Sequence, residues 1–147
     1  MMMLATILAA AMLTPQEAKL KAKLPEIFAK SAAHYAINHP NMPADGIPCW
    51  DFGAPGEERD SSAGAIMASA LIELADFVGG EKGAAYRAFA VKQLLALASP
   101  AYFSEGAEIG HFLLKHGVGN KAEGLEIDTP LNYGDYYFLE ALLRFAK

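Results

Sequence analysis

The chain has 147 residues, a formal net charge of −5 at pH 7, 53% hydrophobic residues and a single cysteine. A mean hydropathy of +0.17 excludes a disordered chain, and the acidic balance argues against a nucleic-acid partner, because phosphate binding needs a basic face. The lone Cys49 excludes an internal disulfide and a cysteine-rich metal site, and reads as a small buried hydrophobe.

One domain is the default at this length, and the alanine-rich hydrophobic content favours close-packed helices over strands. Residues 1–13 form an apolar run with no Lys or Arg before it and no clear cleavage pattern after it. That reads as a core helix rather than a secretory leader, and it is shorter than the ~20 residues of a bilayer span. Such a helix normally has more chain ahead of it, and the triple Met suits a reading frame opened internally. Thr14 predicts an N-cap, with Pro15 at the first helical position and Glu17 completing a capping box. Pro25 is expected to divide this helix, since an interior proline removes a hydrogen bond. The piece after it, 25–38, places Phe28, Ala32, Tyr35 and Ala36 on one face and ends at His39-Pro40.

A loop follows over 41–59, punctuated by Pro43, Gly46, Pro48, Gly53, Pro55 and Gly56. Long structureless stretches inside a compact domain usually carry function, and Trp50, Asp51 and Arg59 mark this one as a site candidate. Asp60 or Ser61 caps the next helix, which runs to about residue 78 with Ile66, Ala70, Leu74 and Phe77 as its apolar stripe. Its small residues (Ala63, Gly64, Ala65, Ala68, Ser69 and Ala70) allow another helix to approach closely. Gly79-Gly80 stops it. A helix over 84–98, carrying Phe89, Leu94, Leu95 and Leu97, halts before Pro100. An irregular region then leads to a last helix over 135–145. Helices alternating with rich loops suggest stacked pairs in a toroid or solenoid, and the lack of a sequence repeat favours a barrel. His34 and His39, like His111 and His116, are five apart with no carboxylate between and lack a zinc-site pattern. No phosphate loop or nucleophile elbow is present, so no metal or cofactor is expected.

The string WDFGAPG, followed by RDSSAGAIMASALIEL and later by EIDTPLNYGDYYFLEALLR, resembles the C-terminal part of the unsaturated glucuronyl hydrolases, glycoside hydrolase family 88. The lead-in HPNMPADGIP fits the same family, so the resemblance covers about 34–147. It implies an all-α chain, the C-terminal part of an (α/α)6 barrel of two concentric helix rings. A related family of unsaturated rhamnogalacturonyl hydrolases shares that barrel, but the Arg59-Asp60-Ser61-Ser62-Ala63 run is closer to the glucuronyl branch. Members act on lyase-made oligosaccharides whose terminal uronic acid carries a C4–C5 double bond. An aspartic acid protonates C4, activated water adds at C5, and the hemiketal expels the leaving sugar, unlike the two-carboxylate displacements of most glycosidases. No position here matches the family's catalytic aspartates, so the chain alone is expected to be inactive.

The resemblance leaves candidate substrate-binding residues along a cleft wall: Trp50, Arg59, Asp60, His116, Gly117, Asn120, Lys121, Tyr133 and Asp135. Trp50 is either a sugar-stacking platform or an anchor of its loop. Arg59 reads as a two-pronged holder of the uronate carboxylate or as a local partner of Asp60 or Glu58. Asp60 is most simply an N-cap, and Asp135 is expected to cap the final helix. Residues 116–121 are expected to form a flexible loop in which Lys121 meets a sulfate or lies solvated. Tyr133 and Tyr136 line the cleft or pack. The expected partner is an unsaturated oligosaccharide, with neither nucleic acid nor membrane, and with self-association through apolar faces that a partial barrel exposes. A helical scaffold or protein-binding module is the rival reading, which leaves the aromatic and charged loops without a purpose.

Overall fold

The computed structural model describes residues 14–29, 32–106 and 108–147; the apolar run 1–13 and its expected helix lie outside them. Among the described residues, five α-helices and one 3₁₀ turn follow in order. They are α1 Pro15–Ala29, α2 Ala32–Ile37, α3 Ser61–Val78, α4 Gly80–Leu97, the turn Lys121–Glu123 and α5 Asn132–Phe145. Strand-like pairing among these residues is confined to isolated antiparallel bridges in the loops.

The capping box at the start of α1 forms as its sequence dictates. Glu17 N–H donates to Thr14 Oγ1 at 3.2 Å, and Thr14 N–H donates to Glu17 Oε2 at 2.7 Å. Pro25 does not divide the helix, which continues to Ala29. A proline's fixed φ suits a helix, and here the loss of one backbone donor is tolerated within a long run. The side chains of Phe28 and Ala32 lie outside the description. Of the other two residues expected on their face, Ala36 is buried and Tyr35 is exposed. Tyr35 instead meets the His39 ring edge-on, at 5.1 Å.

The core forms where α3 packs between α4 and α5. Gly79 alone links α3 to α4: it ends one helix and precedes the other at φ 64, a left-handed conformation that glycine adopts without a Cβ clash. The helix expected over 84–98 therefore starts earlier, at Gly80. Helix α5 runs parallel to α3, side by side along its length. Gly134 lies against Ser62, Ser69 Oγ donates to Glu140 Oε2 at 2.5 Å, and Arg144 pairs with Glu73.

The predicted stripe of α3 holds at Leu74 and is corrected at its other three positions by this packing. Ile66 and Phe77 are 38% and 52% exposed and Ala70 is exposed, whereas Ala65, Ala68, Leu71, Ile72 and Ala75 are buried. A helix in contact with two others buries its small residues, because only they permit both neighbours to come near. By length and composition α3 would suit a membrane span, but 56% of that window is buried within the fold, as in a core helix. On α4, Leu94 and Leu97 are buried as expected, whereas Leu95 points outward. The outer face of α5 exposes Tyr136, Leu139 and Leu143, part of the apolar surplus seen in the composition.

Candidate functional site

Two irregular segments, 38–60 and 98–131, converge at the end where α3 and α5 begin. Neither has a helix or strand to satisfy its backbone, so side chains and isolated bridges do so. Asp60 is the clearest case. Its carboxylate accepts from Ser62 N–H at 3.0 Å and Ser62 Oγ at 2.6 Å, capping α3 as expected, and Oδ1 also accepts from Val118 N–H at 3.2 Å. One buried acid thus holds the first turn of α3 and the distant 117–118 backbone together.

Arg59 does not pair with Asp60 or Glu58. Its guanidinium donates to Asp45, and Nε donates to the Ile47 carbonyl at 2.9 Å. Asp45 is the hub here, accepting also from Ile47 N–H and from the Tyr102 hydroxyl, each at 3.1 Å. Burial pushes the Tyr102 phenol up to about 12, so it stays a donor at all ordinary pH.

The stretch 116–121 is tied down rather than free. Ser61 N–H donates to the His116 carbonyl at 3.0 Å, Gly117 and Thr129 exchange backbone bonds at 2.8 and 2.9 Å, and Asn120 bridges to Leu125. Gly117 is required by close approach, since a Cβ there would lie 2.7 Å from the Thr129 carbonyl oxygen. Asn120 itself is exposed at the end of this hairpin-like arm. His116 Nδ1–H donates to Asp128 Oδ1 at 2.5 Å, and both residues hold positive φ, 63 and 52.

Lys121 is paired with two acids of the 41–59 loop. Its ammonium donates to both Glu57 and Glu58 and sits 5.2 Å from the centroid of the Trp50 ring. Trp50 donates its indole N–H to the same Glu57 oxygen at 3.0 Å, and its backbone N–H to the Glu58 carbonyl. The hydrogen bonds from Lys121 hold both glutamates below the usual carboxylate range, and the two glutamates raise the lysine in return.

Asp135 does not cap α5. The N-cap is Leu131, without a side-chain bond, and Asp135 sits in the first turn. Its two oxygens instead accept from Leu113 N–H at 2.8 Å and Leu114 N–H at 2.9 Å. Tyr133 reaches the Ser62 hydroxyl and keeps part of its ring exposed; burial of the rest raises its phenol. Tyr136 packs edge-on against Tyr137 at 5.2 Å and is exposed.

The result is an open cleft of ≈560 Å3 lined by Gly56, Glu57, Glu58, Arg59, Ala101, Tyr102, His116 and Asp128. Among the predicted residues, Arg59 and His116 line it directly, and Trp50 and Lys121 adjoin it through Glu57 and Glu58. Asp60, Gly117 and Asp135 support the loops from behind. Asp45, Glu57, Tyr102 and Asp128 were not anticipated, and Glu58 was read only as a partner for Arg59. Their only sequence cue is that polar residues in a long loop near Trp50 and His116 need partners. Among the described residues, no group of His, Cys, Asp and Glu is arranged to hold a metal ion. The cleft can present an aromatic ring at its rim and alternating donors and acceptors along its wall, which suits a polar, hydroxyl-rich ligand.

No protein-family model matches the chain. It is 43% identical over 119 residues to the unsaturated glucuronyl hydrolase of Formosa agariphila, covering 79% of this chain and 29% of that protein. It is 38% identical over 134 residues to the unsaturated chondroitin disaccharide hydrolase of Streptococcus pyogenes, covering 85% of this chain and 32% of the relative. A crystal structure of an unsaturated glucuronyl hydrolase specific for heparin superimposes with a TM-score of 0.76 at 43% identity, over 90% of this chain and 34% of the other. The helices are therefore part of an (α/α)6 barrel. In sequence and in fold, the chain belongs with the unsaturated glucuronyl hydrolases of glycoside hydrolase family 88, over most of its own length and about a third of theirs.

Proposed function

We propose that this chain forms the loop-bearing wall of an unsaturated glucuronyl hydrolase, which removes the unsaturated uronic acid from lyase-generated oligosaccharides. The observation that carries this reading is the 43% identity to the Formosa agariphila hydrolase, extending through the loops that build the cleft. Relatives named for unsaturated chondroitin disaccharide and for heparin support glycosaminoglycan fragments as the substrate class. In this reading, the cleft wall positions the sugar while carboxyl groups elsewhere in the barrel protonate C4 and activate water for addition at C5. Expressed alone, the chain is expected to be inactive and to self-associate through the apolar face of α5 around Leu139 and Leu143.

A chimera tests this. Replacing the matching segment of the Formosa agariphila hydrolase with this chain's residues should give an enzyme that bleaches the ultraviolet absorbance of an unsaturated disaccharide's C4–C5 double bond. A folded, monodisperse chimera without that activity would overturn the proposal. Activity of the chain by itself would overturn the expectation that the reacting acids lie elsewhere.

A further inference from the structure

Lys121 is 63 and 64 residues from the two acids it binds, and only 20% of its side chain is exposed. Surface ion pairs add little to stability, so its importance lies in what it fixes. One Glu57 oxygen accepts from both the ammonium and the Trp50 indole, while Glu58 accepts from the ammonium through its side chain and from Trp50 through its backbone. Trp50 is 38% exposed, and Lys121 lies against its ring. A tryptophan on a Pro/Gly-rich loop would otherwise sample several rotamers; here its one side-chain donor and its neighbouring cation are both committed.

We propose that Lys121 is a positioning residue, which acts through Glu57 and Glu58 to lock the Trp50 ring in one orientation at the rim of the cleft. The arm that carries Lys121 thereby sets the aromatic surface presented by a different loop. That this surface receives a sugar ring rests on the proposed function; the lock itself does not.

Trp50 is the only tryptophan in the chain, so its spectroscopy reports this one place. In the chain as it stands, Lys121→Met should abolish the tryptophan band in near-ultraviolet circular dichroism and increase quenching by acrylamide. Lys121→Arg should restore both. A wild-type band and wild-type quenching in Lys121→Met would overturn the lock. If Lys121→Met fails to fold, the Glu57→Gln/Glu58→Gln double variant, altered at one exposed and one half-buried position, carries the same expectation. In the chimera, with unsaturated chondroitin disaccharide as substrate, Lys121→Met should raise KM while leaving kcat near its starting value. An unchanged KM together with a lost band would overturn the link to sugar binding, whereas an inactive parent chimera would overturn the proposed function and leave the spectroscopic result standing.

Discussion

Between α3 and its neighbours the buried contacts are mainly apolar, with Ala65, Ala68, Leu71, Tyr86, Ala90 and Leu97 closed off from solvent and the polar pairs Ser69–Glu140 and Arg144–Glu73 flanking them. At the loop end the contacts are polar and long-range: Asp60 to the Val118 N–H and Asp45 to the Tyr102 hydroxyl join the loops 38–60 and 98–131, and Asp135 of α5 holds the N–H groups of Leu113 and Leu114. The first region gains stability from area removed from water and tolerates many sequences of the right volume. The second depends on individual acceptors, because an irregular backbone without them leaves buried N–H groups unpaired. The site-forming layer is therefore the part in which one polar substitution can loosen a loop while the helices persist.

The largest effect should come from the helical layer. Leu71 is fully buried, so Leu71→Ala is expected to cost ~2–5 kcal/mol through lost burial and the cavity left behind. Urea unfolding followed by far-ultraviolet circular dichroism measures it. A loss comparable to that of a surface substitution would erase the contrast between the two layers.

A smaller and more local effect is expected at Asp135. Removing its carboxylate leaves two backbone donors at 113–114 without acceptors, at about 1–3 kcal/mol for the loop. Asp135→Ala should leave helix content unchanged and speed hydrogen exchange at Leu113 and Leu114. Faster exchange in the first turn of α5, with 113–114 still protected, would restore the capping role that the sequence suggested.

That misreading shows where sequence is legible. The Thr14–Glu17 box and the Asp60 cap are local patterns, with partners three or fewer positions apart, and the structure contains both. An acid near a helix start carries the same local cue whether it caps or reaches elsewhere, and the true partners of Asp135 lie 21 and 22 residues away. Arg59 was matched to its sequence neighbours, but Asp45 lies 14 residues back, across a turn that no spacing rule announces. Gln93 is fully buried on α4, where it donates to the Gly46 carbonyl at 2.8 Å; a helical pattern places a glutamine on the surface. The stripe of α3 was likewise misplaced at Ile66, Ala70 and Phe77, because periodicity favours one face, while packing against two helices also buries Ala65, Ala68, Leu71 and Ile72.

The smallest expected effect is a pH response confined to the Lys121 lock, without a change in the helices. Glu57 and Glu58 titrate below their ordinary 4.5, each held down first by the hydrogen bond from Lys121. Lys121 titrates above its ordinary 10.5, held up first by Glu57 and then by Glu58. A lowered carboxylate contributes above its unfolded value and is lost as pH falls through its folded one; a raised lysine contributes below its unfolded value and is lost as pH rises through its folded one. The lock should therefore hold across the neutral range and open at both extremes. The Trp50 near-ultraviolet band should stay level through neutrality and fall both below the ordinary carboxylate range and above the ordinary lysine range, while Lys121→Met should lack both steps. Arg59, Tyr102, His116 and Asp128 line the same cleft. A step near neutral pH would take control of the ring away from Lys121, whereas steps confined to the two extremes leave the geometry of the polar layer fixed across the neutral range.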